Sequence, residues 1–171
     1  MMDLTSRETW GIVHGMVFGA LFLIAFAGGL AELHLLRPTM ETPSGLRISA
    51  RRIGVGVTSM AVVAWATVIT GTWVVYPWYR ERVPTSPRSV LLADPSTEFW
   101  HTFGMEWKEH VAWLSPMLAT VVAFIVVYYG AALARNDRLR RTAMTLFILA
   151  FALAAVAGVF GALITRAAPV Q

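Results

Sequence analysis

Cysteine is missing altogether from this 171-residue sequence. Its absence excludes disulfides, thiolate-bound clusters and c-type haem attachment by this chain, and removes the usual ligand of soft metals. Charge is scarce as well: 14% of residues are Asp, Glu, Lys or Arg, against 57% hydrophobic. That ratio, with a mean hydropathy of +0.61, excludes an ordinary soluble domain. The positive charge is nearly all arginine, and no basic stripe is interleaved with exposed aromatics, so nucleic acid is not an expected partner. An HExxH-type ligand motif, a nucleophile, acid and base constellation, and an internal repeat are also lacking. A stand-alone enzyme is therefore a weaker reading than a subunit of something larger.

What is present is apolar length. Four stretches, Trp10 to Leu36, Ile53 to Tyr76, Val111 to Leu133 and Ala143 to Ile164, each reach the roughly 20 residues that a helix needs to cross about 30 Å of hydrocarbon. In lipid every backbone polar group must be satisfied within the segment, which makes these stretches helices. The expected fold is all-α: one transmembrane four-helix bundle occupying residues 1–171, with the lipid bilayer as its first partner. The opening span is too long for the apolar region of a cleaved leader, about 7 to 15 residues, and reads as retained. Arg37, Arg47, Arg51 and Arg52 lie in one short loop, and Arg135, Arg138, Arg140 and Arg141 in another. The positive-inside rule assigns both loops to the cytoplasm. Both termini and the 79–96 connection then lie outside, in a multi-pass protein of the inner (cytoplasmic) membrane.

Along the chain, Gly11, Gly15 and Gly19 form a stripe beside His14 that lets a backbone or a flat ligand approach closely. Glu32 and His34 end the first span on different faces. Arg37, Pro38 and Thr42 to Gly45 read as a loop, with the second helix starting near Arg51 and Arg52. That helix has a small, weakly polar interior (Thr58, Ser59, Thr67, Thr70, Gly71, Thr72) and an aromatic belt at Trp73, Tyr76, Trp78 and Tyr79, with Pro77 ending or kinking it. The long connection from Tyr79 to Ser96 reads as functional or disordered, and its apolar run Val90 to Ala93 as a surface that lies on the membrane or docks a partner. Ser96 or Thr97 is the expected N-cap of the third helix, which starts near Thr97, about four turns before Val111. Pro116 should free a carbonyl and bend it. Six of the seven tryptophans fall at the outer end. The fourth span, rich in Ala and Gly, offers close packing.

The chemistry concentrates between Thr97 and Ala119, where Glu98, His101, Glu106, Lys108, Glu109 and His110 run into a span. Ionisable groups are costly inside a bilayer, and such a cluster is by default a site. His14 and His110 lie early in two spans that run inward from the same surface, at similar depth. Two neutral imidazoles on neighbouring helices, around an apolar space, are what axial ligation of one b-type haem requires. Gly11 and Gly15 would let the haem approach, and Lys108, Arg80 or Arg82 would face its propionates. Two other readings stay open. In one, the histidines serve only as hydrogen-bond partners of neighbouring helices or headgroups. Alternatively Glu106 and His110, i and i+4 on one face, begin a mixed nitrogen and oxygen metal site completed by Glu109 or His14. His101, about 180° from His110, is expected to face solvent, a quinone head group or a partner protein.

In the segments Trp10-Gly11-Ile12-Val13-His14-Gly15 and Glu106-Trp107-Lys108-Glu109-His110 the chain resembles small four-helix membrane b-type cytochromes. The resemblance implies an electron-transfer subunit with one haem b near the outer (periplasmic) face. It would pass electrons between quinol, or another membrane subunit, and an exported protein. The alternative is a cofactor-free structural or assembly subunit of a larger respiratory or photosynthetic complex.

Overall fold

The computed structural model describes residues 4–37 and 42–169. Among them the regular structure is entirely helical. Four long helices, α1 (Ser6–Leu35), α2 (Pro43–Tyr79), α4 (Trp100–Arg135) and α5 (Asp137–Ala167), are each long and apolar enough to cross a membrane. A short helix, α3 (Pro87–Ala93), lies between α2 and α4. The long helices pack in a ring, α1 on α2, α2 on α4, α4 on α5 and α5 on α1, so that α1 and α4 are diagonal. In their most apolar windows only 17% to 33% of residues are buried inside the bundle. The rest, such as Ile24, Val62, Phe124 and Val159, form an outward apolar belt that water would not tolerate and lipid does. The protein is a multi-pass membrane bundle.

Local chemistry sets the ends. Thr5 and Glu8 make a reciprocal capping box on α1, with Glu8 N donating to Thr5 Oγ1 over 3.2 Å and Thr5 N to Glu8 Oε2 over 2.8 Å. Thr42 caps α2 with Pro43 at its first position, so α2 begins more than two turns before the Arg51–Arg52 pair. Residues 43–45, read as loop, are its first turn, whereas Pro38 lies outside the described residues. Gly130 turns α4 toward α5 at φ 50°, a backbone open to glycine. Arg140, 5% exposed, donates to the Leu36 carbonyl at 2.8 Å and pairs with Asp137 at 2.7 Å. It thereby satisfies an orphan carbonyl at the end of α1.

The main core joins Phe22, Leu33, Val57, Met60, Val122, Val126, Phe147 and Ala150. Phe26 stacks on Phe151 at 4.0 Å, and a Cβ on Gly29 would fall 3.0 Å from the Phe147 ring. Ser115 Oγ donates across the bundle to the Ala150 carbonyl at 2.7 Å. A second cluster sits at the tryptophan-bearing end, where Tyr79, Met105 and Ile164 enclose Leu91. The 79–96 connection thus folds back over the bundle. Ser86 caps α3, its Oγ accepting from Ser89 N, and Leu91 is wholly buried while Val90 and Leu92 face out. In the turn into α4 Asp94 accepts from the Ser96 N–H, and the Thr97 hydroxyl donates back to the Leu91 and Asp94 carbonyls at 3.0 and 3.1 Å without capping the helix ahead of it. The Ser96 N–H donates to Asp94 Oδ1 at 2.8 Å and keeps that carboxyl below the usual carboxylate range.

Candidate functional site

Departures from α-helical register gather at the tryptophan-bearing end. π-helical turns occupy Ile12–Val17, Gly71–Val75, Trp100–Met105 and Trp107–Val111, on α1, α2 and α4. Bonds from residue i to i−5 mark them: Phe18 N to Val13 O, Tyr76 N to Gly71 O and Ala112 N to Trp107 O. Such turns insert a residue into the helix and recur at functional sites. Part of the cause is in the sequence. Pro77 supplies no N–H to the carbonyl one turn back, within the π-helical stretch of α2. Pro116 supplies no N–H to the Ala112 carbonyl, which is not left free but accepts from Ser115 N at 3.1 Å.

His14 projects from the π turn of α1 toward α2. Its Nδ1 lies 3.1 Å from Thr70 Oγ1. The Thr70 hydroxyl gives its single proton back to its own helix, with Ala66 O at 2.7 Å and Thr67 O at 3.1 Å, so it accepts from His14. The neutral ring is therefore the Nδ1–H tautomer, with a bare lone pair on Nε2. Gly71 makes room for it: a Cβ there would stand 2.9 Å from His14 Cε1 and 3.5 Å from Nε2.

Lys108, the only lysine, extends from α4 across to α5. Its Nζ lies where a Cβ on Gly161 would be 2.8 Å away. Among the described residues it has no hydrogen bond and no carboxylate partner. The neighbouring Trp107 Nε1 is buried and likewise without an acceptor, against Phe160. Two ionisable side chains thus enter the bundle at this end, the His14 imidazole of α1 against Gly71 of α2 and the Lys108 ammonium of α4 against Gly161 of α5.

The second expected ligand stands elsewhere. The His110 side chain is 71% exposed, its Nδ1 3.1 Å from the Glu106 carbonyl and 3.4 Å from the Glu106 carboxylate. His14 and His110 face different neighbours, the first Thr70 and Gly71, the second Glu106. Glu106 reaches His110 alone, and among the described residues no group of three or more His, Cys, Asp or Glu side chains converges as a metal site would need. Gly11 and Gly15 face away from the bundle, with nothing within 4 Å of a Cβ built on either. Arg80 is engaged by Tyr76, with Nη1 to the hydroxyl at 2.6 Å and the guanidinium 5.3 Å from the ring centroid.

His101 completes a chain at the rim. Arg88 Nε donates to its Nε2 at 3.4 Å, which leaves Nδ1–H to donate to the Tyr79 hydroxyl at 2.7 Å. Thr70, Gly71, Tyr79, Arg88 and Gly161 are the members that sequence reasoning did not place in the site. Thr70, Gly71 and Gly161 signalled only as small or weakly polar residues within apolar spans, Tyr79 as part of the aromatic belt and Arg88 as a basic residue of the long connection. Comparisons with protein-family profiles, with curated proteins and with solved structures find no match to this chain. Fold and site define a class, a membrane four-helix bundle with half-buried ionisable side chains at one end.

Proposed function

We propose that the protein is an electron-transfer subunit of a membrane complex, handling its redox group at the tryptophan-bearing end. One observation carries the reading: Lys108 lies against α5 without a counter-charge among the described residues, at the same end of the bundle as His14, whose Nδ1 is committed to Thr70. A cation held in apolar surroundings without an anion is costly, and marks where an electron-rich oxygen belongs. The carbonyl oxygen of a quinone and the propionate of a haem are both of that kind. Lys108 would donate to such an oxygen, and His14 Nε2 would accept a quinol hydroxyl proton. The rim chain of Tyr79, His101 and Arg88 offers that proton polar groups toward the aqueous side.

The sharper form of the proposal is one haem b held by His14 and His110. In its favour, each ring commits Nδ1 to a fixing hydrogen bond, the usual arrangement behind a metal-bound Nε2. Against it, His110 faces outward, and this form requires that ring to turn inward. A cofactor-free structural subunit is favoured by a separate observation, the open faces of Gly11 and Gly15, which present backbone to a helix of another subunit.

The test is an absorption spectrum of the full chain purified in mild detergent, with a quinone assay of the extract. We expect either a reducible Soret and alpha band lost in His14→Ala, or stoichiometric quinone lost in both His14→Ala and Lys108→Met. A folded, colourless, quinone-free protein would leave the structural reading.

A further inference from the structure

The end opposite the site carries an open groove of about 560 Å³ between α2 and α4. Arg47 and Arg51, one helical turn apart, line its outer part; Thr58 and Ser59 line it further in, and Val127 forms part of its wall. Gly54 is its floor, where a Cβ would be 3.7 Å from Val127. Arg52 is held by Glu32 at 3.0 Å and Arg140 by Asp137 at 2.7 Å. Arg47 and Arg51 have no hydrogen bond or ion pair among the described residues.

We propose that this groove binds one anionic phospholipid, its phosphate between Arg47 and Arg51 and the start of an acyl chain along Val127. Three features choose the occupant. Two unpaired guanidiniums match a phosphate in charge and in fork geometry. Arg47 to Ser59 is twelve residues of helix, about 18 Å, so the lining passes from the polar end of the bundle into the apolar belt as a lipid does. The walls there are already lipid-facing: Val55 is 62% and Val127 64% exposed. Basic pockets between spans are established sites for anionic headgroups.

The experiment is native mass spectrometry of the full chain, titrated in detergent with phosphatidylglycerol or with phosphatidylcholine. One phosphatidylglycerol is expected to be retained at concentrations where phosphatidylcholine is not. At about 1 kcal/mol per basic residue, Arg47→Gln with Arg51→Gln weakens retention roughly twentyfold to thirtyfold. Val127→Trp keeps both charges, fills the groove and removes retention, so a folding failure of the double variant leaves the proposal testable. Equal retention of the two lipids, an unchanged double variant, or displacement of phosphatidylglycerol by inorganic phosphate at matched concentration overturns it.

Discussion

Lys108 is where residue chemistry and stability pull in opposite directions. Its ammonium lies against Gly161 with no anion to neutralise it, so the folded protein carries an uncompensated charge. Lys108→Met, similar in length and apolar, should leave the thermal midpoint unchanged or raise it, by about 2 to 4 °C for each kcal/mol gained in a chain of this size. The same variant should lose the redox group. A thermal scan in detergent decides: a midpoint several degrees lower would make Lys108 a structural residue and remove it from the site. At this scale the limit on what the sequence shows is geometric. His14 and Lys108 were legible as costly groups in apolar spans. The outward position of His110 was not, because 100° per residue assumes unbroken α-helix, and the π turns within 100–111 shift that phase. Gly71 and Gly161 make room only once helix positions and rotations are known.

Among the elements, the four spans followed from apolar length alone, because a bilayer leaves helices as the simplest way to satisfy their backbone. Their ends were less legible. The α2 start was drawn to the Arg51–Arg52 pair although Thr42 and Pro43 already spell a cap and first turn. In α3 the same signal, Ser86 followed by Pro87, went unread because seven residues are too few to stand as a helix without the bundle beneath them. Leu91 is what fastens it, wholly buried among Tyr79, Met105 and Ile164. Truncating such a leucine costs about 2 to 5 kcal/mol. A helix this short should answer by local opening, with the bundle intact. Leu91→Ala is thus expected to speed tryptic cleavage after Arg88 while the main unfolding transition stays put. Cleavage unchanged from the parent would mean that α3 is held by something other than Leu91.

For the molecule as a whole, everything proposed about exported partners depends on which end faces outward. Arginines 37, 47, 51, 52, 135, 138, 140 and 141 lie at one end of the bundle, and the site, with six of the seven tryptophans, at the other. The asymmetry predicts the arginine-bearing end inside. Two of those arginines are engaged structurally, Arg140 buried on the Leu36 carbonyl and Arg52 paired with Glu32, which leaves the other six to carry the signal. The absence of cysteine makes the question clean, because a single introduced thiol is the only one that can react. Thr85 and Arg138 are exposed at opposite ends. Thr85→Cys should be labelled by a membrane-impermeant maleimide in intact spheroplasts, and Arg138→Cys only after the membrane is opened. The reverse pattern would put Lys108 and His14 at the cytoplasmic surface and rule out an exported redox partner. It would also leave the Arg47 and Arg51 groove facing the outer leaflet, where the same phosphate chemistry applies to a different lipid population.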